Sequence, residues 1–343
     1  MFISYPARLR FPLLKLPWLC VKCVIQNSDL YDIIYFATIS NRTRRIVKSS
    51  NYPIQKIHVA RNSTYKRIFM GKGKYWDFSH DEYENAVPLL LKRNSEPFLT
   101  RNSFNFVTGH SLRSYRAGDT LDALKMGIDF MIEVFGCTVN RVFVDGNKLS
   151  ELIRLGISSV EELYITDSDP VNITNLKYLL ETMKVTDSYA FYVPIPANFF
   201  CDPQIFNCRR INFESRHSAD WVTLQFLYQL DVSKLVIRYE RFSKEDIVSY
   251  ITYWFNSENR KLEFVQFKLD NPVSLEDFEI VHLNPMPYDE KRRNKCPLVR
   301  GWENTDTSSG MDILRQDGLL ATFFVKPTEI LFYIWHKRFP DAA

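Results

Sequence analysis

The sequence predicts a mixed α/β fold, α+β overall, and three observations predict it. Apolar residues recur at helical spacing before residue 50 and again between Leu121 and Phe135. Between 52 and 115 the period shortens to that of strands, in pieces separated by polar turns. Beyond that, strand-like segments centred on Val142, Leu163, Phe191, Ile211, Leu235 and Phe264 follow one another at intervals of 20–29 residues, with helical stretches in most of the gaps. Alternation of this kind implies parallel strands joined by crossover helices.

Taken in order, residues 11–50 read as a small helical unit. Pro12 and Pro17 punctuate its start, and Trp18 to Asn27 suits one short helix through Leu19, Val21, Val24 and Ile25. Asp29 is placed to cap a second, presenting Ile33, Ile34, Phe36 and Ala37, and a basic third runs from Asn41 to Ser49. Forty residues bury too little to form a large core alone, so such a unit needs another surface to pack on. The first ten residues read as a loosely ordered lead-in.

Residues 51–343 read as a second, larger domain. Ile54, Ile57 and Val59, then Ile68 and Met70, then Tyr75, Trp76 and Phe78, then Phe104, Phe106 and Val107 suit short strands. Gly71-Lys-Gly-Lys74 is a hairpin turn and lacks the length and hydroxyl of a phosphate loop. Leu121, Leu124, Ile128, Met131, Ile132 and Phe135 form one helical stripe, with Asp119 or Thr120 as cap and Gly136 as stop.

The βα run fits two architectures, a doubly wound sheet or a degenerate leucine-rich-repeat-like solenoid. The 20–29-residue spacing matches the solenoid's repeat, and no G-x-G-x-x-G follows a strand, which favours the solenoid. Pro194, Pro196 and Pro203 make the gap after Phe191 a loop. Ser243-Lys-Glu-Asp246 resembles a capping box. After an irregular stretch over 270–310, Met311–Arg315 and Leu319–Val325 flank the hairpin signal Gln316-Asp317-Gly318, and Ile330–Trp335 adds a strand; these should form a β cap.

Composition narrows the function. The chain has 343 residues, 45% hydrophobic and 24% charged, so a folded protein is expected. A net charge of +4 is too balanced to favour nucleic acid. The basic run Lys291–Lys295 reads as a solvated loop. The cysteines form no framework, and Cys20-x-x-Cys23 has no partner pair at zinc spacing, so both are expected to be small buried hydrophobes in a reducing compartment. No apolar run is long enough to span a membrane and no signal peptide is evident, which points to a cytoplasmic or nuclear protein.

Catalytic signatures are lacking. None of the six His has a partner at metal-ligand spacing, and no nucleophile elbow or kinase set occurs. Asp145, Asp167 and Asp169 fall at strand ends, where loop capping competes with a metal or acid/base role on a parallel sheet. The expectation is no enzyme activity, no metal and no cofactor.

Residues 11–50 resemble an F-box. Leu16-Pro17 stands at the family's entry pair, Val24 and Ile25 at the end of its first helix, and Asp29, Asp32 and Ile33 at its acidic-then-apolar step. Ile39-Ser40 and the basic run Arg42–Arg45 follow in order. Ser28 departs from the usual Leu or Met, and Leu30 from the common Pro. Met311–Thr322 with Trp335, and Phe242–Ile247 leading into Leu262–Val265, resemble the nematode-type F-box associated domain, type 2. The resemblance implies a substrate-recognition adaptor of an SCF-type, cullin-based E3 ubiquitin ligase. Leu16, Pro17, Val21, Val24, Ile25, Ile33 and Ile39 would then contact a Skp-family adaptor on a cullin scaffold. The larger domain would capture a protein client through residues the sequence does not identify. The alternative is a repeat-type binding module acting outside a ligase.

Overall fold

The computed structural model describes residues 13–71, 73–79, 87–89, 98–105, 109–115, 119–238, 241–296 and 305–336. The sequence expectations for residues 1–12, Phe106 and Val107 lie outside this set. The chain divides into two compact units, residues 1–60 with 64–140, and residues 61–63 with 141–343. No helix among the described residues is long and apolar enough to cross a membrane.

The first unit opens with three ten-residue helices, α1 (Trp18–Asn27), α2 (Leu30–Ile39) and α3 (Asn41–Ser50). Six strands follow: β1 (Lys56–Arg61), β2 (Lys66–Phe69), β3 (Tyr75–Ser79), β4 (Val87–Leu89), β5 (Phe98–Asn105) and β6 (Gly109–Tyr115), hydrogen-bonded in the order β1-β2-β3-β6-β5-β4. The β2–β3 hairpin closes where expected, with Met70 N–H donating to the Lys74 carbonyl. Met70 and Ile54, expected within strands, are buried just beyond their ends.

Helix α4 (Thr120–Phe135) is capped by the Asp119 carboxylate and ends at Gly136, whose left-handed φ of 66° favours glycine. Leu121, Leu124, Ile128 and Met131 of the expected stripe are buried, but the buried arc is wider than the sequence predicts and turned away from Ile132. Ile132 is 43% exposed, while Ala123, Gly127, Phe130 and Val134 face inward. Gly127 sets the rotation: the Phe78 ring lies so close that a Cβ there would collide with it.

In the second unit six strands run parallel and adjacent in chain order: β7 (Thr138–Asp145), β8 (Ser159–Thr166), β9 (Lys184–Tyr192), β10 (Arg210–Phe213), β11 (Lys234–Ile237) and β12 (Phe264–Lys268). All six expected strand centres fall within them, and their order never reverses. Helices α5 (Leu149–Leu155), α6 (Ile173–Thr182), α7 (Leu224–Gln229) and α8 (Lys244–Asn256) fill the connections. Trp221, expected in α7, lies ahead of it. Ser243 forms the anticipated capping box with Asp246.

Burial alternates along the strands. Val142, Val144, Leu163, Ile165, Ile211 and Phe213 are fully buried, whereas their neighbours Phe143, Tyr164, Arg210 and Asn212 are partly exposed. On β7, β8 and β10 one sheet face is therefore core and the other partly exposed, whereas the middle of β9 and all of β11 are buried on both faces, and Val236, Phe264, Phe324, Leu331 and Tyr333 form a second buried apolar cluster. Between β9 and β10, where prolines forbid a helix, aromatic rings fill the space. Phe206 packs edge-on to Tyr189 at 5.1 Å, and Phe191 stacks on Phe213 at 5.4 Å.

The terminal strands β13 (Met286–Pro287), β14 (Met311–Leu314), β15 (Leu320–Lys326) and β16 (Glu329–Trp335) continue antiparallel from β12 in the order β16-β15-β14-β13. They occupy the hydrogen-bonding edge of β12. The basic run is not a solvated loop throughout. Arg293 is 1% exposed and donates from Nε to Asp312 Oδ1 at 2.6 Å and from Nη1 to Thr307 Oγ1 at 2.9 Å. Its guanidinium lies over the Tyr288 and Trp335 rings.

Candidate functional site

Two surfaces concentrate side chains that the fold leaves available. The first is the helical triplet. Pro17 precedes α1, where its fixed φ and missing N–H cost the helix nothing. From there Val21 and Ile25, four residues apart, turn inward and are 3% and 0% exposed. Outside their stripe Leu19 is 76% and Val24 40% exposed, and at the start of the helix Trp18 is 42% exposed, with Pro17 also exposed. Cys20 and Cys23 are exposed too, contrary to the expectation of burial, because they are three residues apart on the side of α1 that carries Leu19, away from Val21 and Ile25.

Helix α1 ends by local hydrogen bonding. Ser28 Oγ donates to the Val24 carbonyl at 2.7 Å, which gives the serine a capping role. Asp29 caps α2 by accepting from Tyr31 N–H at 2.8 Å, and its carboxylate also pairs with Lys74. Leu30 and Ile33 are buried, whereas Ile39 at the far end of α2 is 72% exposed. Ser40 both ends α2 and forms a capping box with Thr43 at the start of α3. Gln26 Nε2 donates to the Ser50 carbonyl at 2.8 Å and ties α1 to the end of α3. Trp18, Asn41, Arg42, Arg45, Ile46 and Ser49 line an open groove of about 650 Å³.

The seven sequence-predicted contact residues thus divide. Val21, Ile25 and Ile33 are core, Leu16 is half-buried, and Pro17, Val24 and Ile39 face outward. Trp18 and Leu19, exposed on α1, and Arg42 and Arg45, which line the groove, were not among them. Helical geometry contained the signal for Leu19, which lies two positions from Val21 and off its face, but not for Trp18, which shares the i, i+3, i+7 stripe of Val21 and Ile25 and is exposed because it stands at the first position of α1.

The second surface is the sheet face on which Arg141, Phe143, Glu162, Tyr164, Arg210 and Asn212 are partly exposed, while Ser188, Ala190, Lys234 and Val236 between and beside them are buried. Register aligns Arg141, Glu162, Ser188, Arg210 and Lys234 in one row across β7 to β11. Phe143, Tyr164, Ala190, Asn212 and Val236 form the next. Phe143 and Tyr164 stack with centroids 4.5 Å apart. Arg141 donates to Glu162 at 2.8 Å. Burial would raise the Glu162 carboxyl, but hydrogen bonds from Tyr164 and Arg141 outweigh it and hold it below its ordinary value.

The strand-end acids brace loops. Asp145 accepts from Ser63 N–H and Oγ, both at 2.6 Å, and Asp167 accepts from Asn147, Ser168 and Asp169 N–H. No group of three potential metal ligands occurs among the described residues.

Comparison with known proteins fits this geometry. Residues 202–267 match the family model described as F-box associated, a span from just before β10 to β12 that includes Phe242–Ile247 and Leu262–Val265. An uncharacterized Caenorhabditis elegans protein is 29% identical over 99% of this chain and 80% of its own length. A second uncharacterized protein of that organism is 26% identical over 36% of the chain and 30% of its own length. The E3 ubiquitin-protein ligase hecw-1 of C. elegans is 21% identical over 75% of the chain, which spans 23% of that ligase. No solved structure matches the chain.

Proposed function

We propose that this protein is a substrate-recognition adaptor of an SCF-type, cullin-based ubiquitin ligase. In this reading the triplet α1–α3 is an F-box and docks on a Skp-family adaptor. Residues 51–343, read as a degenerate βα solenoid with a β cap, capture a protein client. The observation that carries the reading is the outward apolar face of Trp18, Leu19, Val24 and Ile39 on a unit whose inward face is already filled. Full burial of such a side chain is worth about 1.5–3 kcal/mol, and a partner surface would recover the larger part of it at Leu19 and Ile39 and under half at Trp18 and Val24. The F-box associated match over residues 202–267 supports the same family context, and the ubiquitin-ligase relative agrees with it in theme.

The chain then performs no chemistry itself, needs no cofactor and works in the cytoplasm or nucleus, where the other subunits supply catalysis. The test is co-purification of the full chain with a Skp-family adaptor. Capture is expected from the unmodified chain and should fail for Pro17→Ala combined with Val24→Asp. Undiminished capture by that variant would show the interface to be misassigned.

A further inference from the structure

We propose that the partly exposed face of β7–β11 seats an extended acidic segment of the client, with one carboxylate on Arg210 and Lys234 and one apolar side chain on the Phe143–Tyr164 platform. The proposal rests on the reading of residues 51–343 as the client-binding domain.

Charge arithmetic identifies the carboxylate. Arg210 and Lys234 stand side by side in register on β10 and β11. Parallel neighbours lie about 4.8 Å apart, so these are like charges in contact range. Lys234 is 8% exposed, and its ammonium has Glu263 at 3.9 Å, while Arg209 holds the same carboxylate at 3.3 Å. Arg210 has Asp187 at 3.6 Å, beyond hydrogen-bond reach, and its buried Nε donates to no group. The charged groups acting on Lys234 are Arg209, Arg210, Glu263 and Asp187. Arg210 also acts on Glu162, which Arg141 engages at 2.8 Å, so across the row four cations, Arg141, Arg209, Arg210 and Lys234, face three anions, Glu162, Asp187 and Glu263. Burial, then Arg209, pull the lysine below its ordinary pKa, with Glu263 opposing them only in part. One unmet positive charge suits a single carboxylate better than a phosphoryl dianion.

The second contact fixes length. Tyr164 lies two strands from Arg210 and three from Lys234, roughly 10–14 Å. An extended chain rising about 3.3 Å per residue covers that distance in three or four residues. Between them lie Ser188 and Ala190 of β9, 4% and 1% exposed, so the segment passes over the flanking side chains of β8 and β10.

The test uses the full chain and fluorescein-labelled ten-residue peptides of Ser, Thr and Val. Each carries one Trp and one Glu, three or four residues apart, in either order, and binding is read by anisotropy. At least one such peptide should bind. Exchange of its Glu for Gln, or Lys234→Gln or Arg210→Gln in the protein, should weaken binding about tenfold or more, because a charge-assisted contact is lost. Arg210 is half exposed, so its variant should keep the fold should Lys234→Gln fail to. No binding by any peptide, equal binding by the Gln peptide, or tighter binding when phosphoserine replaces Glu would overturn the proposal. Adaptor capture measured on the same variants separates the two readings. Capture retained by variants that lose the peptide locates the loss on the sheet, while absent capture with intact peptide binding would count against the ligase reading alone.

Discussion

Val21 and Val24 stand three residues apart on α1 and face opposite environments, one 3% and the other 40% exposed. The same side chain therefore serves as core at one position and as surface at the other. Val21→Asp would bury a charge without a partner and should destabilise the fold by about 3 kcal/mol or more. Val24→Asp should change stability by about 0.5 kcal/mol or less while abolishing adaptor capture. Urea unfolding beside pull-down separates the two. Equal destabilisation by both substitutions would mean that α1 is rotated from the orientation described.

Arg293 and Asp312, 1% and 0% exposed, anchor the segment between β13 and β14. Removing either partner strands a buried charge, so Arg293→Ala or Asp312→Ala should cost about 3–5 kcal/mol in denaturant unfolding. The double change Arg293→Met with Asp312→Leu should cost less than either single change. Additive losses would contradict a coupled pair.

Gly127→Ala should lower stability by about 1–3 kcal/mol, because the new methyl meets the Phe78 ring. Elsewhere on an exposed helix this exchange would stabilise. A raised melting temperature would place Phe78 away from α4.

Much of this architecture was legible in the chain. All six parallel strands, the α4 caps and the Ser243 capping box follow from local pattern, because period and capping are local properties. The rotation of α4 was not, since it depends on Phe78, some fifty residues earlier. Nor was the burial of Arg293, which a run of basic residues disguises and which only Asp312 and Thr307 explain. At the candidate docking surface, the sequence-predicted contacts grouped buried residues of α1 and α2 with exposed ones. Which apolar residues become core depends on where α2 and α3 lie. The sheet-face rows arise from cross-strand register, which no single segment encodes.

Burial pushes the thiols of Cys201 and Cys208 up from an ordinary 9.0 to about 12, and that of Cys137 to about 11. Cys20 and Cys23 are exposed. A thiol reagent at pH 8 should therefore modify Cys20 and Cys23 within minutes and the three buried thiols only on unfolding. In the unfolded chain these three ionise near 9, so the folded state binds more protons from there up to about 11–12. Their contribution to stability is complete below pH 9 and is lost as pH rises through that window. Replacing all three by Ser or Ala should flatten the alkaline limb of the pH–stability curve; an unchanged limb would assign it to other groups.

The most direct test of the ligase account is amide hydrogen exchange on the full chain with and without a Skp-family adaptor. The account predicts new protection confined to the start of α1, around Trp18, Leu19 and Val24, and to the end of α2 at Ile39. Protection of the sheet alone, or an exchange pattern unaltered by saturating adaptor, would contradict it.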